Sequence, residues 1–361
     1  MTTLPPDQTP THGGDVYLLA RSLGVNIGDL LDFSANINPL GFPPGLNGAV
    51  EEALKEIVHY PDRRSLKLGA ALAAYHHLTP EAILVGNGST ELIYLVARAL
   101  RPRRGLIVTP AFSEYEHALN LARVPAAFHP TGESHNFALS EIPEAQAGDL
   151  VFLAHPASPS GVLLDPELFL RVAADVEAAG AYLLLDEAFV DFVEEASLKI
   201  HLSRFPHLMI LRSFTKFFGI PGMRLGFLMA APELVAQLSA GQEPWSVNTM
   251  AQAMGVACLA DREYMSQTRT LIRREREFLL DRLAALPGLT SFPSRVNYLL
   301  VKLTRPGMTA AALRQQMLAH RIVIRDASNF RGLDERFFRL AVRSRNENER
   351  LLAALEQCLG I

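Results

Sequence analysis

The sequence is poor in the residues that mark several classes of protein. Cysteine occurs only at Cys258 and Cys358 among 361 residues, which is too few for a disulfide framework and suits a reducing compartment. An excess of basic residues is also missing, since 34 Lys and Arg stand against 38 Asp and Glu, and we expect no nucleic-acid-binding surface. No apolar run is long enough to span a membrane, and residues 1–14 lack the basic and apolar regions of a secretion signal. We therefore expect a cytoplasmic protein.

Sequence patterns for metal binding are missing as well. The chain contains neither HExxH nor CxxC. The histidines His76 and His77 are adjacent, so they would point in different directions from a helix. We expect no metal site.

The apolar residues, 49% of the chain, form short runs that alternate with helical patterns. The expected strands lie at 82–85, 106–109, 150–154, 182–186, 208–213 and 225–230, and helices are expected at 91–100 and 166–179. Strands that are apolar throughout and are separated by helices indicate a mostly parallel sheet with helices on both faces. The predicted fold class is α/β, with a large α/β/α sheet domain.

The two ends of the chain differ from this pattern. Residues 1–45 are rich in Pro and Gly, and they predict an extended arm with one helix at 16–23. After residue 248 a helical span is expected at 249–286, and apolar strands then follow in NYLLVKL, RIVIRD and FFRLAV. We predict an arm at 1–45 that packs with a small α+β domain at 249–361, and a large domain at 46–248.

Polar residues follow several of the predicted strands. They are Asn87 to Thr90, Ser158, Asp186, and the pair Ser213 and Lys216. Ligands of open α/β sheets bind beyond the carboxyl ends of the strands, so these residues should share one edge of the sheet. Their convergence is a stronger indication of a site than any one motif.

Lys216 stands alone in the apolar segment SFTKFFGIPGMRLG. A desolvated lysine has a lowered pKa and attacks carbonyl groups, and binding pyridoxal phosphate (PLP) is a leading use of such a lysine. A PLP site also needs a carboxylate for the ring nitrogen, a helix N-terminus for the phosphate, an aromatic side chain and a cation. The candidates are Asp186, GNGST at 86–90, Tyr115 and Arg224. Each has an ordinary structural explanation when taken alone, as a surface, core or turn residue, but together they favour a PLP site.

These segments resemble a known family. SFTKFFGIPGMRLG, GNGSTE, DEAFVDF and YPD are similar to motifs of the fold type I PLP enzymes, in the aminotransferase class that includes histidinol-phosphate aminotransferases. HGG, DFSANINPLG, EPWSVN and residues 321–355 resemble a branch of that class, the threonine-phosphate decarboxylases. The resemblance implies decarboxylation of L-threonine O-3-phosphate to (R)-1-aminopropan-2-yl phosphate and CO2, for the aminopropanol arm of cobalamin.

The resemblance also implies roles for individual residues. Lys216 would bind the cofactor covalently, Asp186 would pair with its ring nitrogen and Tyr115 would stack on its ring. The cofactor phosphate would be held by Gly88, Ser89, Thr90, Ser213 and Arg224, and by Tyr60 reaching across from the other subunit of a homodimer. Arg339 would clamp the substrate carboxylate. The substrate phosphate would be received by Arg325, His12, Gly13 and Asn36.

Three positions depart from the aminotransferase pattern. Ser158, in SPSG, replaces an asparagine that donates to the phenolic oxygen of the cofactor, although a serine can still donate. Phe189 replaces a tyrosine with the same role, as it does in the decarboxylases. Arg343 resembles a second substrate arginine of the decarboxylases, and its alternative is a surface arginine at a strand end.

The motifs leave three functions open. Decarboxylation and transamination use the same cofactor and differ in which bond to Cα stands perpendicular to its ring, a geometry that a sequence does not reveal. A histidinol-phosphate-type aminotransferase is therefore the alternative to the decarboxylase. A non-catalytic PLP-binding protein is a third, against which Lys216, Asp186 and Arg224 all argue.

Overall fold

A computed structural model describes residues 12–361, and the first eleven residues of the predicted arm lie outside this range. A seven-stranded sheet forms its centre, in the order β2-β8-β7-β6-β5-β3-β4. These strands are β2 (Ile83–Gly86), β3 (Arg104–Thr109), β4 (Ala126–Pro130), β5 (Asp149–Ala154), β6 (Tyr182–Asp186), β7 (Leu208–Ser213) and β8 (Gly226–Met229). Only β8 runs antiparallel to its neighbours, so β2 is parallel to β7 and the predicted mostly parallel sheet is confirmed.

The strands of this sheet are apolar because both of their faces are covered. Along β6, Leu183 and Leu185 belong to one hydrophobic cluster, whereas Leu184 belongs to a second cluster on the other face. Successive side chains of a strand point to opposite faces, so each strand supplies both clusters. Burial on both sides explains why these strands show no alternation of polar and apolar residues.

Helices cover the sheet and extend the chain at both ends. They are α1 (Val16–Leu23), α2 (Leu46–Leu54), α3 (Leu66–His76), α4 (Gly88–Leu100), α5 (Glu114–Leu121), α6 (Pro166–Ala178), α7 (Phe214–Phe217), α8 (Pro232–Ala240), α9 (Thr249–Ala260), α10 (Arg262–Ala284), α11 (Ala310–Ala319) and α12 (Arg345–Leu359). Several of them begin at side-chain caps; for example, Asp165 accepts from Leu168 N at α6, and Asn248 accepts from Ala251 N at α9. Such caps satisfy backbone N–H groups that have no partner within the helix.

A second sheet lies in the C-terminal part of the chain. Its strands are β9 (Leu289–Ser291), β10 (Tyr298–Leu303), β12 (Arg325–Asp326) and β13 (Phe337–Ala341), in the order β12-β13-β10-β9. The short strand β1 (Leu31–Asp32) pairs in parallel with β11 (Ile322–Val323), which joins the N-terminal segment to this region. In the second sheet, Arg325 of β12 stands directly opposite Arg339 of β13.

Several predicted boundaries are corrected by the structure. The helical span at 249–286 is two helices, because Asp261 has a non-helical backbone and its side chain caps α10 by accepting from Tyr264 N. Helix α4 begins at Gly88 with Asn87 as N-cap, three residues before the predicted start at residue 91. RIVIRD forms two strands in different sheets, and β4 was not predicted.

Within residues 12–361, none of the helices combines the length and the apolar character that crossing a membrane requires.

Candidate active site

Lys216 lies in the short helix α7, directly after β7. Its Nζ donates to Ser213 Oγ at 3.3 Å and stands 5.3 Å from the ring centre of Phe189. Burial lowers the pKa of Lys216 to about 8; Asp186 opposes this shift, while Arg224 and Arg339 add to it. A fraction of the amine is therefore uncharged near neutral pH, as a nucleophilic lysine requires.

A compact cradle for an anion surrounds the N-terminus of α4. A Cβ at Gly88 would lie 2.7 Å from the Arg224 guanidinium, and a Cβ at Gly226 would lie 2.4 Å from Ser89 N. The two glycines thus let the guanidinium and the backbone N–H groups approach each other. Asn87 makes no side-chain capping hydrogen bond in the described structure, which leaves the first turn of this 13-residue helix open to an anion.

The hydroxyl groups beside Lys216 belong to the same edge. Ser213 Oγ and Thr215 Oγ1 are 2.8 Å apart, and both residues are buried. Ser89 is buried and Thr90 is half-buried in the first turn of α4. The cradle therefore combines hydroxyls, backbone N–H groups and one arginine, a donor set that suits a phosphate group.

The carboxylate of Asp186 is held in place by two hydrogen-bond donors. The Tyr115 hydroxyl donates to Asp186 Oδ2, and Ala188 N donates to Oδ1 at 2.9 Å. Burial raises the pKa of Asp186, whereas the Tyr115 hydrogen bond, Lys216 and the Ala188 N–H lower it. The carboxylate is therefore aimed and stabilised by fixed donors at the end of β6.

Tyr115 is placed differently from its predicted role. Only 2% of the residue is exposed, and its ring stacks on Phe152 with centroids 5.1 Å apart. Phe112, in the loop after β3, is partly exposed and meets Tyr115 edge-on at 5.9 Å. Phe112, which sequence reasoning missed, is therefore the more accessible aromatic side chain. The TPAF turn after a strand was the available signal.

A buried phenol adjoins the two positions that depart from the aminotransferase pattern. Tyr298 packs edge-on against Phe189 with ring centroids 4.9 Å apart, and its hydroxyl donates to Ala157 O at 2.9 Å. Burial raises the pKa of Tyr298, and a hydrogen bond with Ser158 partly offsets this rise. Ser158 and Phe189 thus share a neighbour that the sequence had not identified.

Arg325, which is buried, and Arg339, which is half-buried with its Nε fully buried, stand opposite each other on adjacent strands. Arg339 Nη2 donates to Ser34 O at 3.4 Å, while its Nε is buried without a partner among the described residues. Arg325 Nη2 donates to Asn329 Oδ1 at 2.7 Å. Burial and the nearby Arg339 lower the pKa of Arg325 to about 10. Two neighbouring buried guanidinium groups favour ligands with more than one negative charge.

The N-terminal segment lies against this arginine pair. A Cβ at Gly13 would be 2.0 Å from Ser34 O, the atom that Arg339 contacts, so only glycine fits there. The His12 ring is 5.7 Å from the Phe112 ring. Asn36 is buried, and its Oδ1 lacks a partner among the described residues. The residues predicted to receive the substrate phosphate therefore lie near Phe112 and Arg339.

Arg343 contacts the protein itself, and its predicted place in the substrate site stays a prediction. Its Nε donates to Glu347 Oε1 at 2.9 Å and its Nη1 donates to Asp32 O at 3.1 Å. These contacts join the start of α12 to β1. They give Arg343 a structural role, close to the alternative considered from the sequence.

Tyr60 is far more exposed than the other predicted site residues. It is 82% exposed, and its ring lies 5.0 Å from that of Trp245. No contact in residues 12–361 joins it to the cradle at α4. The structure of one chain therefore does not bring Tyr60 into the site.

A buried ion network lies next to the site and was missed from the sequence. Arg212, the penultimate residue of β7, is fully buried and pairs with Glu187, Asp191 and Glu194. Its charge lowers the pKa of Glu194, despite burial, to about 2, while burial raises the pKa of Asp191 to about 6. Since Glu187 follows Asp186 and Arg212 precedes Ser213, this network fixes the ends of β6 and β7. A charged residue inside the apolar run LMILRS was the available signal.

The comparisons with known proteins cover almost the whole chain. The family model described as aminotransferase class I and II matches residues 28–355. The threonine-phosphate decarboxylase of Salmonella typhimurium is 40% identical over 353 residues, which are 96% of either chain. A histidinol-phosphate aminotransferase of Anaeromyxobacter is 33% identical over 360 residues, 96% of this chain and 95% of the relative. The crystal structure of L-threonine-O-3-phosphate decarboxylase from Porphyromonas gingivalis is 31% identical, with a TM-score of 0.83 over 92% of this chain and 100% of the other.

Proposed function

Because this chain belongs to the aminotransferase class I and II family, we propose that it decarboxylates L-threonine O-3-phosphate with pyridoxal phosphate as cofactor. The products are (R)-1-aminopropan-2-yl phosphate and CO2. The 40% identity to a threonine-phosphate decarboxylase over 96% of both chains supports this activity. The aminopropanol phosphate would serve the assembly of cobalamin.

The pairing of Arg325 with Arg339 is the observation that carries the proposal. L-Threonine O-3-phosphate bears a carboxylate and a phosphate on one small molecule. Two buried arginines on adjacent strands match these two charges. Histidinol phosphate has a phosphate but no carboxylate, so on its own it would give Arg339 no anionic partner, and an aminotransferase would need the carboxylates of 2-oxoglutarate to supply one.

The residues at the sheet edge fit the cofactor. The Lys216 amine can bind its aldehyde, Asp186 can pair with its ring nitrogen, and Phe112 can cover its ring. Its phosphate fits the cradle of Gly88, Ser89, Thr90, Ser213 and Arg224, where added Cβ atoms would fill the space that the glycines leave. Ser158 can donate to its phenolic oxygen. Bound pyridoxal phosphate supplies an electron sink for the bond that breaks at Cα of the substrate.

The chain's own residues orient the substrate and move a proton. Arg339 binds the carboxylate through guanidinium N–H groups, including the Nε that has no partner within the described chain. Arg325, His12 and Asn36 bind the phosphate at the other end, so the two anchors fix which bond to Cα breaks. Lys216, with a pKa of about 8, then delivers a proton to Cα after CO2 has left.

We further propose that the protein acts as a homodimer in the cytoplasm. Leu54, Ile57, Val58, Tyr60 and Trp245 are all large, apolar or aromatic, and exposed. Exposed apolar side chains of this kind favour burial against a second copy, which would carry Tyr60 towards the other subunit's cradle. Cys258 and Cys358 are both unpaired, which is consistent with a reducing compartment.

A histidinol-phosphate aminotransferase is the second candidate, because a relative of that name is 33% identical over 96% of the chain. The ratio of kcat/KM values separates the two functions. Purified holoenzyme is given L-threonine O-3-phosphate alone, and histidinol phosphate together with 2-oxoglutarate. We expect CO2 release from the first to exceed glutamate formation from the second by at least about 100-fold. The reverse ratio would establish the aminotransferase.

A further inference from the structure

The first turn of α5 contacts the N-terminal segment through Glu114. Its Oε1 is 2.9 Å from His12 Nε2, and its Oε2 accepts a hydrogen bond from the Tyr94 hydroxyl of α4. Burial and the hydrogen bond to Glu114 raise the pKa of Tyr94 to about 12, so this phenol remains a donor at physiological pH. Glu114 is mostly buried, whereas His12 is largely exposed. A fixed carboxylate therefore holds an accessible imidazole.

The imidazole lies beside the substrate-binding residues already described. His12 is adjacent in sequence to Gly13, which packs against Ser34 O, and Arg339 donates to the same oxygen. Its ring also neighbours Phe112. The position of the His12 ring is thus defined on one side by the segment that carries Ser34 and on the other by Glu114.

We propose that Glu114 is a positioning residue that, supported by Tyr94, orients His12 towards the phosphate of the substrate. This inference rests on the proposed function. In the imidazolium form Nε2–H donates to Glu114 and Nδ1–H is left to donate to a phosphate oxygen, and only one ring orientation satisfies both. Without Glu114 the exposed side chain would sample several rotamers, and binding the phosphate would have to order it.

Glu114→Ala tests this role through the binding of phosphorylated ligands. We expect KM for L-threonine O-3-phosphate and the inhibition constant of inorganic phosphate to rise about fivefold to tenfold, with kcat within about twofold of wild type. Glu114→Gln should recover most of the loss, because its amide oxygen can still accept from Nε2–H. Unchanged constants for both ligands in Glu114→Ala would overturn the proposal.

The chain offers a matched control in a second His–Glu pair. His207 Nδ1 and Glu177 Oε1 are also 2.9 Å apart, in a part of the chain to which we assign no binding role. Glu177→Ala should leave KM and phosphate inhibition unchanged. If it raised both as much as Glu114→Ala does, the effect would be a general loss of packing and the proposal would fail.

A double-mutant cycle separates positioning from a merely structural role. If Glu114 acts through His12, Glu114→Ala adds nothing to KM in a His12→Ala background. An equal loss in both backgrounds would show that Glu114 supports α5 and does not orient the histidine. Turnover of L-threonine O-3-phosphate by the wild-type enzyme is the reference throughout. Its absence would defeat the proposed function, whereas normal turnover with no effect of Glu114→Ala would defeat this inference alone.

Discussion

At the scale of single residues, the site depends on the few hydrogen bonds and charges that set the protonation of its buried ionisable groups. Burial raises the pKa of Asp186 and lowers the pKa of Lys216, so it disfavours the charged form of both groups. Hydrogen bonds from Tyr115 and the Ala188 N–H lower the pKa of Asp186, while the charge of Asp186 raises the pKa of Lys216. The outcome is a carboxylate that can face a ring nitrogen and an amine that can react.

Tyr115→Phe removes the hydroxyl and keeps the ring that stacks on Phe152. Because the Tyr115 hydrogen bond lowers the pKa of Asp186, its loss should raise that pKa further and weaken the pairing with a protonated ring nitrogen. We expect the Kd for pyridoxal phosphate to increase about tenfold. Absorbance titration of the apoprotein measures it. An unchanged Kd would contradict the role given to this hydrogen bond.

Lys216→Met should stabilise the protein in the absence of cofactor. Burial lowers the pKa of Lys216 from 10.5 unfolded to about 8 folded, so the unfolded state binds more protons between these values. The wild-type penalty is complete below pH 8 and disappears as the pH approaches 10.5. Lys216→Met should gain about 1–3 kcal/mol in unfolding free energy at pH 7 and little at pH 10. Urea unfolding at the two pH values checks this, and a gain independent of pH would contradict it.

At the scale of elements, the sequence predicted the strands and helices whose bounds depend on the pattern of apolar residues. The strands β6 and β7 match their predicted bounds, because uninterrupted apolar runs ended by polar residues define them. The break at Asp261 and the cap at Asn87 were missed, because each depends on one backbone conformation that a helical pattern does not encode.

The site was predictable in its polar residues but not in their contacts. Asp186 and Lys216 lie at the carboxyl ends of β6 and β7, and Arg224 precedes β8, which runs antiparallel to β7 and so begins at the same edge. The topology therefore brings the three residues together. By contrast, Tyr115 rather than Phe112 was expected at the cofactor ring. Phe112 lies in the loop before α5 and Tyr115 lies in its first turn. Only the packing of the Tyr115 ring on Phe152 distinguishes their roles. For the same reason the sequence did not show that Glu347, one helical turn later, pairs with Arg343, whose role at the substrate stays a prediction.

Gly226→Ala tests the close approach of β8 to the start of α4. The new Cβ would lie 2.4 Å from Ser89 N and 2.9 Å from Arg212 O, both backbone atoms that cannot move independently. We expect a loss of about 2 kcal/mol or more in unfolding free energy, together with weaker cofactor binding. Gly222→Ala, in the same segment, meets nothing within 4 Å and should change neither. Equal stability of the two variants in thermal unfolding would contradict the close packing of β8 against the start of α4.

At the scale of the whole molecule, we propose that the chain divides into the arm, large domain and small domain expected at 1–45, 46–248 and 249–361. The seven-stranded sheet falls within the second range and the four-stranded sheet within the third. The pairing of β1 with β11 supports an arm that packs on the small domain. The substrate residues Arg325 and Arg339 would then close on a cofactor held by the large domain.

Val58→Asp tests the proposed dimer. Val58 is 80% exposed in the single chain and lies two residues before Tyr60, so a charge there would be buried in the proposed interface. We expect the dimer dissociation constant to rise at least about 100-fold, as followed by light scattering, with a parallel loss of cofactor affinity. Leu121→Asp, at a leucine that is 67% exposed at the end of α5, is the control and should leave the dimer intact. A stable dimer of Val58→Asp would place the interface elsewhere.

The central claim is that this site breaks the bond between Cα and the carboxylate and returns a proton to the same carbon. Mass spectrometry of the product formed from L-threonine O-3-phosphate in D2O, without any oxo acid, tests it most directly. The account predicts stoichiometric CO2 and aminopropan-2-yl phosphate carrying a single carbon-bound deuterium at the carbon that lost the carboxylate. A phosphorylated oxo acid with its carboxylate retained, formed without CO2, would contradict it and identify a transaminating site.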